Sequence, residues 1–153
     1  MSKRASAKSD QLSFATTLDV RDHCLCLSLQ RAARVMARRY DEALRPANLT
    51  NGQFSLMMSL NRAEAPNVAE IAGLLGMDRT TLTANLKPLE RRGLLEIAVD
   101  EEDRRSRRLL LTRQGRAILR QALPLWLRQQ AETERLLKPA EFRRLREALR
   151  ALE

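Results

Sequence analysis

Apolar residues recur along this chain at three- and four-residue steps, and where that step fails they alternate. Leu25, Leu29, Ala32, Ala33, Met36, Tyr40 and Leu44 keep the helical step, with Arg31, Arg34, Arg38 and Arg39 largely on other faces, so Asp22 to Leu44 is predicted helical. Pro46 ends that helix. Thr50 with Gln53 three residues later has the pattern of a capping box, after which Phe54, Leu56, Met57 and Leu60 point inward. Asn67 and Glu70 repeat the pattern at the next helix start.

Val68 to Leu82 has the spacing of a helix-turn-helix. Ala72 is small where the two helices touch, Gly76 stands at the turn, and Leu82 is where the second helix returns to the core. Asp78 is the predicted N-cap of that second helix, Leu82, Leu86 and Leu89 form its inward stripe, and Gly93 ends it. Leu95, Ile97 and Val99 alternate as a strand, with Leu109 and Leu111 as its return partner. The intervening Asp100 to Arg108 is too charged to be buried and reads as an exposed hairpin tip. Thr112 caps a long helix running to about Leu137. Pro139 starts a last one, whose Phe142, Leu145, Leu149 and Leu152 are spaced like a coiled-coil seam. Pro88 and Pro124 fall inside helices, and a kink is expected at each.

These elements predict a mainly α chain: a winged helix-turn-helix with a small β-hairpin wing and a helical dimerisation region. The DNA-binding lobe spans 50–112 and the dimerisation helices 22–45 and 113–153 of one domain, 1–153. Residues 1–11, rich in Ser and Lys, read as a disordered arm. The last helix has an apolar seam with little left in the chain to cover it, and a second copy is the simplest cover, giving a two-fold dimer.

The 153 residues carry a net charge of +9, which favours an acidic partner. The excess lies outside the helix-turn-helix and hairpin. Between Asn67 and Thr112, eight basic residues (Arg79, Lys87, Arg91, Arg92, Arg104, Arg105, Arg107, Arg108) balance eight acidic ones. Position must therefore carry the case for nucleic acid. The chain has no apolar run near the length of a membrane span and no signal-peptide pattern, so no membrane partner is expected. Cys24 and Cys26 would diverge by about 200° on a helix, a poor geometry for bridging each other, and a reduced, cytoplasmic setting fits. With His23 the only histidine, the spacing matches no usual zinc site, and no metal or other cofactor is expected. No acid-base constellation or nucleophile elbow points to an enzyme.

On the second helix of the motif, the face opposite Leu82, Leu86 and Leu89 carries Thr80, Thr81, Ala84 and Lys87, flanked by Arg79 and Thr83. Threonine hydroxyls and methyls suit phosphates, base edges and thymine methyls, and Lys87 can reach a phosphate. In the hairpin, Asp103, Arg104, Arg105, Ser106 and Arg107 place a basic cluster behind acids. An arginine at such a tip, here Arg105, can enter the minor groove, with Asp103 as the carboxylate holding it.

Leu49 to Phe54, Gly76 to Thr83, Leu89 to Leu94, Asp103 to Ser106 and Leu111 to Gly115 together resemble the MarR family of winged-helix regulators, over roughly Asp22 to Leu152. The resemblance implies a homodimer on double-stranded DNA at a pseudo-palindromic operator, usually as a repressor. It also implies a cleft where a small aromatic or phenolic effector loosens DNA binding. Leu25 to Leu29 is further similar to the segment holding the peroxide-sensing cysteine of the organic hydroperoxide resistance regulators. Cys26 would match that thiol and Tyr40 one tyrosine that contacts it, whereas Gln30 and Asn51 stand where two others would. Against a thiol-based repressor using Cys26 stands a buried, inert Cys26 packed in the first helix. A non-specific architectural DNA binder is the remaining alternative.

Overall fold

The computed structural model describes residues 12–101 and 103–152; the arm expected over residues 1–11 lies outside them. Seven α-helices and one two-stranded hairpin are found among the described residues: α1 (Phe14–His23), α2 (Leu25–Leu44), α3 (Asn51–Ser59), α4 (Val68–Leu75), α5 (Arg79–Arg91), β1 (Leu95–Val99), β2 (Arg107–Leu111), α6 (Arg113–Glu134) and α7 (Pro139–Arg150). A 3-10 turn at Arg45–Ala47, with Pro46 near its start, separates α2 from α3. The chain divides into a small unit ending at Met36 and a larger one from Ala37 onward.

The first unit differs from expectation in two ways. Helix begins at Phe14, capped by the Ser13 hydroxyl, which accepts the Thr16 amide. The predicted run from Asp22 is also broken at Cys24, whose ψ of 106° is extended. Periodicity missed α1 because it buries none of its residues and so shows no apolar stripe.

In the larger unit the local signals are met. Thr50 and Gln53 close a capping box, and Asn67 and Glu70 close another. Thr112 caps α6 through the Gly115 amide at 2.9 Å. That helix stops at Glu134, a turn short of the expected Leu137. Both α5 and α6 run unbroken through Pro88 and Pro124.

One contiguous core draws Leu44 from α2, Phe54, Leu56 and Met57 from α3, Ile71 and Ala72 from α4, Leu82, Leu86 and Leu89 from α5, Leu95, Leu109 and Leu111 from the hairpin, and Leu119 and Ala122 from α6. Burying large aliphatic side chains of this kind is the main stabilising term, about 1.5–3 kcal/mol each. Trp126 of α6 adds a half-buried ring beside Phe54 and Tyr40, with centroids 6.0 and 6.4 Å away. The hairpin pairs Leu95 with Leu111 and Ile97 with Leu109, keeping its apolar side on this core. In α7, Leu145 and Leu149 are exposed.

Candidate nucleic-acid interface

The turn between α4 and α5 depends on Gly76, which adopts φ 61° and ψ 33°, a left-handed conformation that glycine takes at little cost. Its amide returns to the Gly73 carbonyl and that of Met77 to Ala72, closing α4. Asp78 then caps α5: its carboxylate accepts the Thr81 amide at 2.8 Å and the Thr81 hydroxyl at 2.6 Å. These bonds, the hydroxyl's foremost, hold the Asp78 carboxyl below its usual range. With Leu82, Leu86 and Leu89 fully buried, the opposite side of α5 is forced outward.

Arg79, Thr80, Thr81, Thr83 and Lys87 are all exposed there. Their hydroxyls are not equally available. The Thr81 proton is given to Asp78 and the Thr83 proton to the Arg79 carbonyl at 2.7 Å. Thr80 makes no side-chain hydrogen bond among the described residues, so it alone of the three keeps a free donor. Arg91, which was not among the expected site residues, is also exposed and lies four residues beyond Lys87 on the stripe of Thr80, Ala84 and Lys87. The same spacing that found Lys87 reaches Arg91 one turn further on.

The hairpin corrects two expectations. Asp103 does hold Arg105, but by its backbone: the carboxylate accepts the Arg105 amide at 3.0 Å, and the Asp103 carbonyl accepts the Ser106 amide at 2.8 Å. The Arg105 guanidinium has no partner among the described residues and is exposed, as is that of Arg104. Arg107 is also exposed but folds back, donating to the carbonyls of Arg104 and Ser106 at 3.0 Å each. Ser106 is half-buried.

The second correction concerns the ends of the segment read as an exposed tip. Asp100 is buried, at 6% exposure. Arg108 lies across from it, with Nε 2.6 Å from the Asp100 carboxylate and Nη1 donating to the Ala65 carbonyl at 3.0 Å. Opposite charge makes the burial tolerable, and composition alone cannot report such pairing.

A cavity of about 230 Å³ opens between α3 and α6, lined by Met58, Asn61, Arg116, Leu119, Arg120 and Leu123. Trp126 does not line it. Tyr40, buried beside Trp126, donates its hydroxyl proton to Gln130 at 2.6 Å. In the first unit Cys26 is exposed, against the expectation of an inert, buried thiol, and its sulfur accepts from the Gln30 amide nitrogen at 3.4 Å. Cys24 is half-buried, and both thiols are free. No helix among the described residues is long and apolar enough to cross a membrane.

A sequence profile described as MarR family matches residues 49–106, which hold α3 to α5, β1 and the stretch between β1 and β2. The chain is similar to the HTH-type transcriptional regulator TtmR of Methylorubrum extorquens, at 35% identity over 63% of this chain; the match spans only 50% of that protein's length. It is also similar to the organic hydroperoxide resistance transcriptional regulator of Bacillus subtilis, at 32% identity over 66% of this chain and 69% of that one. Among solved structures, the M. tuberculosis transcriptional regulator MosR in complex with DNA superposes with a TM-score of 0.75 and 38% identity, over 84% of this chain and 96% of that chain. The transcriptional repressor CouR bound to a DNA duplex superposes with a TM-score of 0.77 and 31% identity, over 93% and 98%.

Proposed function

Because the chain belongs to the MarR family of winged-helix transcriptional regulators, we propose that it acts as a homodimer repressing from a pseudo-palindromic operator. The relatives are regulators of transcription and not enzymes. The observation that carries the proposal is the division of α5, with Leu82, Leu86 and Leu89 sealed in the core and Arg79, Thr80, Thr81, Thr83, Lys87 and Arg91 turned to solvent. An exposed helix of this length fits a major groove, and the free Arg105 guanidinium at the hairpin tip suits the flanking minor groove. Thr80 and Arg79 are the side chains best disposed to read base edges; Lys87 and Arg91 suit phosphates. Ser106 and Asp103 shape the tip, and Arg107 stiffens it. The exposed Leu145 and Leu149 of α7 support pairing with a second copy, which would set half-sites about one helical turn apart.

The cavity between α3 and α6 supports an effector of one ring bearing an acid: Met58, Leu119 and Leu123 supply apolar wall, Arg116 and Arg120 cationic rim. An effector bound there would shift the spacing of the two α5 helices and misfit both half-sites at once. A cytoplasmic setting belongs to this reading.

Selection of bound fragments from a random DNA pool tests it. A regulator recovers one two-fold motif and keeps a specificity ratio of about a thousandfold or more over random DNA; a non-specific architectural binder recovers no motif. On the selected DNA, Arg105→Ala costs roughly 1–3 kcal/mol, and unchanged affinity would remove the wing from the interface. A thiol-switched repressor is the second reading, supported by the exposure of Cys26 and by the similarity to an organic hydroperoxide resistance regulator. DNA release by cumene hydroperoxide that is lost in Cys26→Ser would establish it; equal behaviour of the two proteins would end it.

A further inference from the structure

We propose that Arg108 is a positioning residue for DNA binding, holding the wing in a fixed relation to the helix-turn-helix so that Arg105 and α5 meet adjacent grooves together. The proposal rests on the DNA-binding reading above. An isolated two-stranded hairpin is marginal in rigidity, and this one has only five residue pairs, Leu95 with Leu111 to Val99 with Arg107. Its distal half projects beyond the core: Val99 is exposed, whereas Leu95 is buried. Something must stop the tip from swinging if Arg105 is to arrive at one place.

Arg108 meets that need by joining three segments. Nε donates to the Asp100 carboxylate just past β1, and Nη1 donates to the Ala65 carbonyl in the loop before α4. Its backbone forms a bridge with Asn67, the N-cap of α4, and the next residue, Leu109, donates its amide to the Pro66 carbonyl at 2.9 Å. The distal end of the paired strands is thus tied to the residues that start the helix-turn-helix. Stability is a poor reason for such a pair, since apolar replacements of buried ion pairs are often no worse. A fork with two fixed acceptors supplies direction, which an apolar contact does not. With two of its donors so engaged and its side chain only 37% exposed, Arg108 is badly placed to contact DNA itself.

A double-mutant cycle with Arg105 on the selected DNA tests this. Arg108→Met should weaken binding roughly tenfold in the wild-type background, the order of a lost wing contact, and less than about twofold in the Arg105→Ala background. Arg108→Lys, which keeps the charge but cannot fork, should also weaken binding severalfold. If Arg108→Met folds poorly, Asp100→Asn combined with Arg108→Met removes both charges and serves in the same cycle. Hydrogen exchange gives a reading independent of DNA: the Arg105 and Ser106 amides should exchange faster in the variant, with those of α5 unchanged. Equal losses in the two backgrounds, wild-type binding by Arg108→Met, or unchanged exchange at the tip would each overturn the proposal. A wild-type protein that selects no DNA while the exchange prediction holds would instead sink the DNA-binding reading and leave the wing's attachment standing.

Discussion

Gly115 lies so close to Leu94 that a β-carbon on it would sit 1.9 Å from the Leu94 carbonyl oxygen. That oxygen also accepts the Thr112 amide at 3.2 Å, and the Thr112 hydroxyl donates to the Gly93 carbonyl at 2.7 Å. The first turn of α6 is thereby stitched onto the turn that leads into β1. Backbone cannot yield as a side-chain tip can, so Gly115→Ala should destabilise the fold by about 3 kcal/mol or more. Gly52, in the first turn of α3, has nothing within 4 Å of the same position. Gly52→Ala should be neutral or stabilise by up to about 1 kcal/mol. Urea denaturation of both variants checks the pair; equal midpoints would mean that the α6 junction relaxes freely.

The signals legible in the sequence are local. Thr50 with Gln53, Asn67 with Glu70, and Asp78 each satisfy amides within three residues, so spacing alone sufficed to place three helix starts. The inward stripe of α5 followed for the same reason, and with it the outward face. Asp100 and Arg108 defeated the reading because their attraction depends on the hairpin's register and on a loop more than forty residues earlier. Composition reported only that both are charged. The hydroxyls of Thr81 and Thr83 were legible as chemistry but not as occupied donors, since occupancy is decided by rotamer. A cysteine among leucines resembles core, yet α2 turns Cys26 to solvent, which only the helix's packing decides.

Leu86 and Lys87 are neighbours with opposite duties. Leu86 is sealed in the core, and Leu86→Ala should cost about 2–5 kcal/mol of stability. Lys87 is exposed, and Lys87→Ala should change stability by less than about 0.5 kcal/mol. Only the second should lower the salt dependence of DNA binding, by about one unit of slope. Thermal melts together with titrations at several salt concentrations separate these effects. A Lys87→Ala protein with the wild-type slope would place that ammonium away from any phosphate.

Asp78 makes the cap of α5 sensitive to acid. Its carboxyl titrates below the usual 3.8 in the fold, chiefly through the Thr81 hydroxyl and then the Thr81 amide. A depressed folded value means that the stabilisation is complete above the unfolded value, near pH 4, and is lost as pH falls through the folded one. Asparagine also caps helices but does not titrate. Melting temperatures measured from about pH 5 down to about pH 2 should therefore fall more steeply for wild type than for Asp78→Asn. Parallel curves would mean that the bonds to Thr81 contribute nothing that depends on charge.

Tyr40 has a single proton to give, and Gln130 takes it at 2.6 Å. Gln130 in turn donates to Glu134 at 2.9 Å, so the phenol begins a short chain along α6. Tyr40 is buried and its ring lies near Trp126, which makes its first duty structural. Tyr40→Phe keeps the ring and removes the bond, and should cost about 0.5–1.5 kcal/mol. If that is the whole of its role, the variant will also respond to cumene hydroperoxide as the wild type does, whether or not Cys26 is oxidised. A variant of full stability whose DNA release by peroxide is slowed severalfold would instead assign the phenol to the thiol. Measuring stability and release on the same preparation decides between a prop for α6 and a partner for the sulfur.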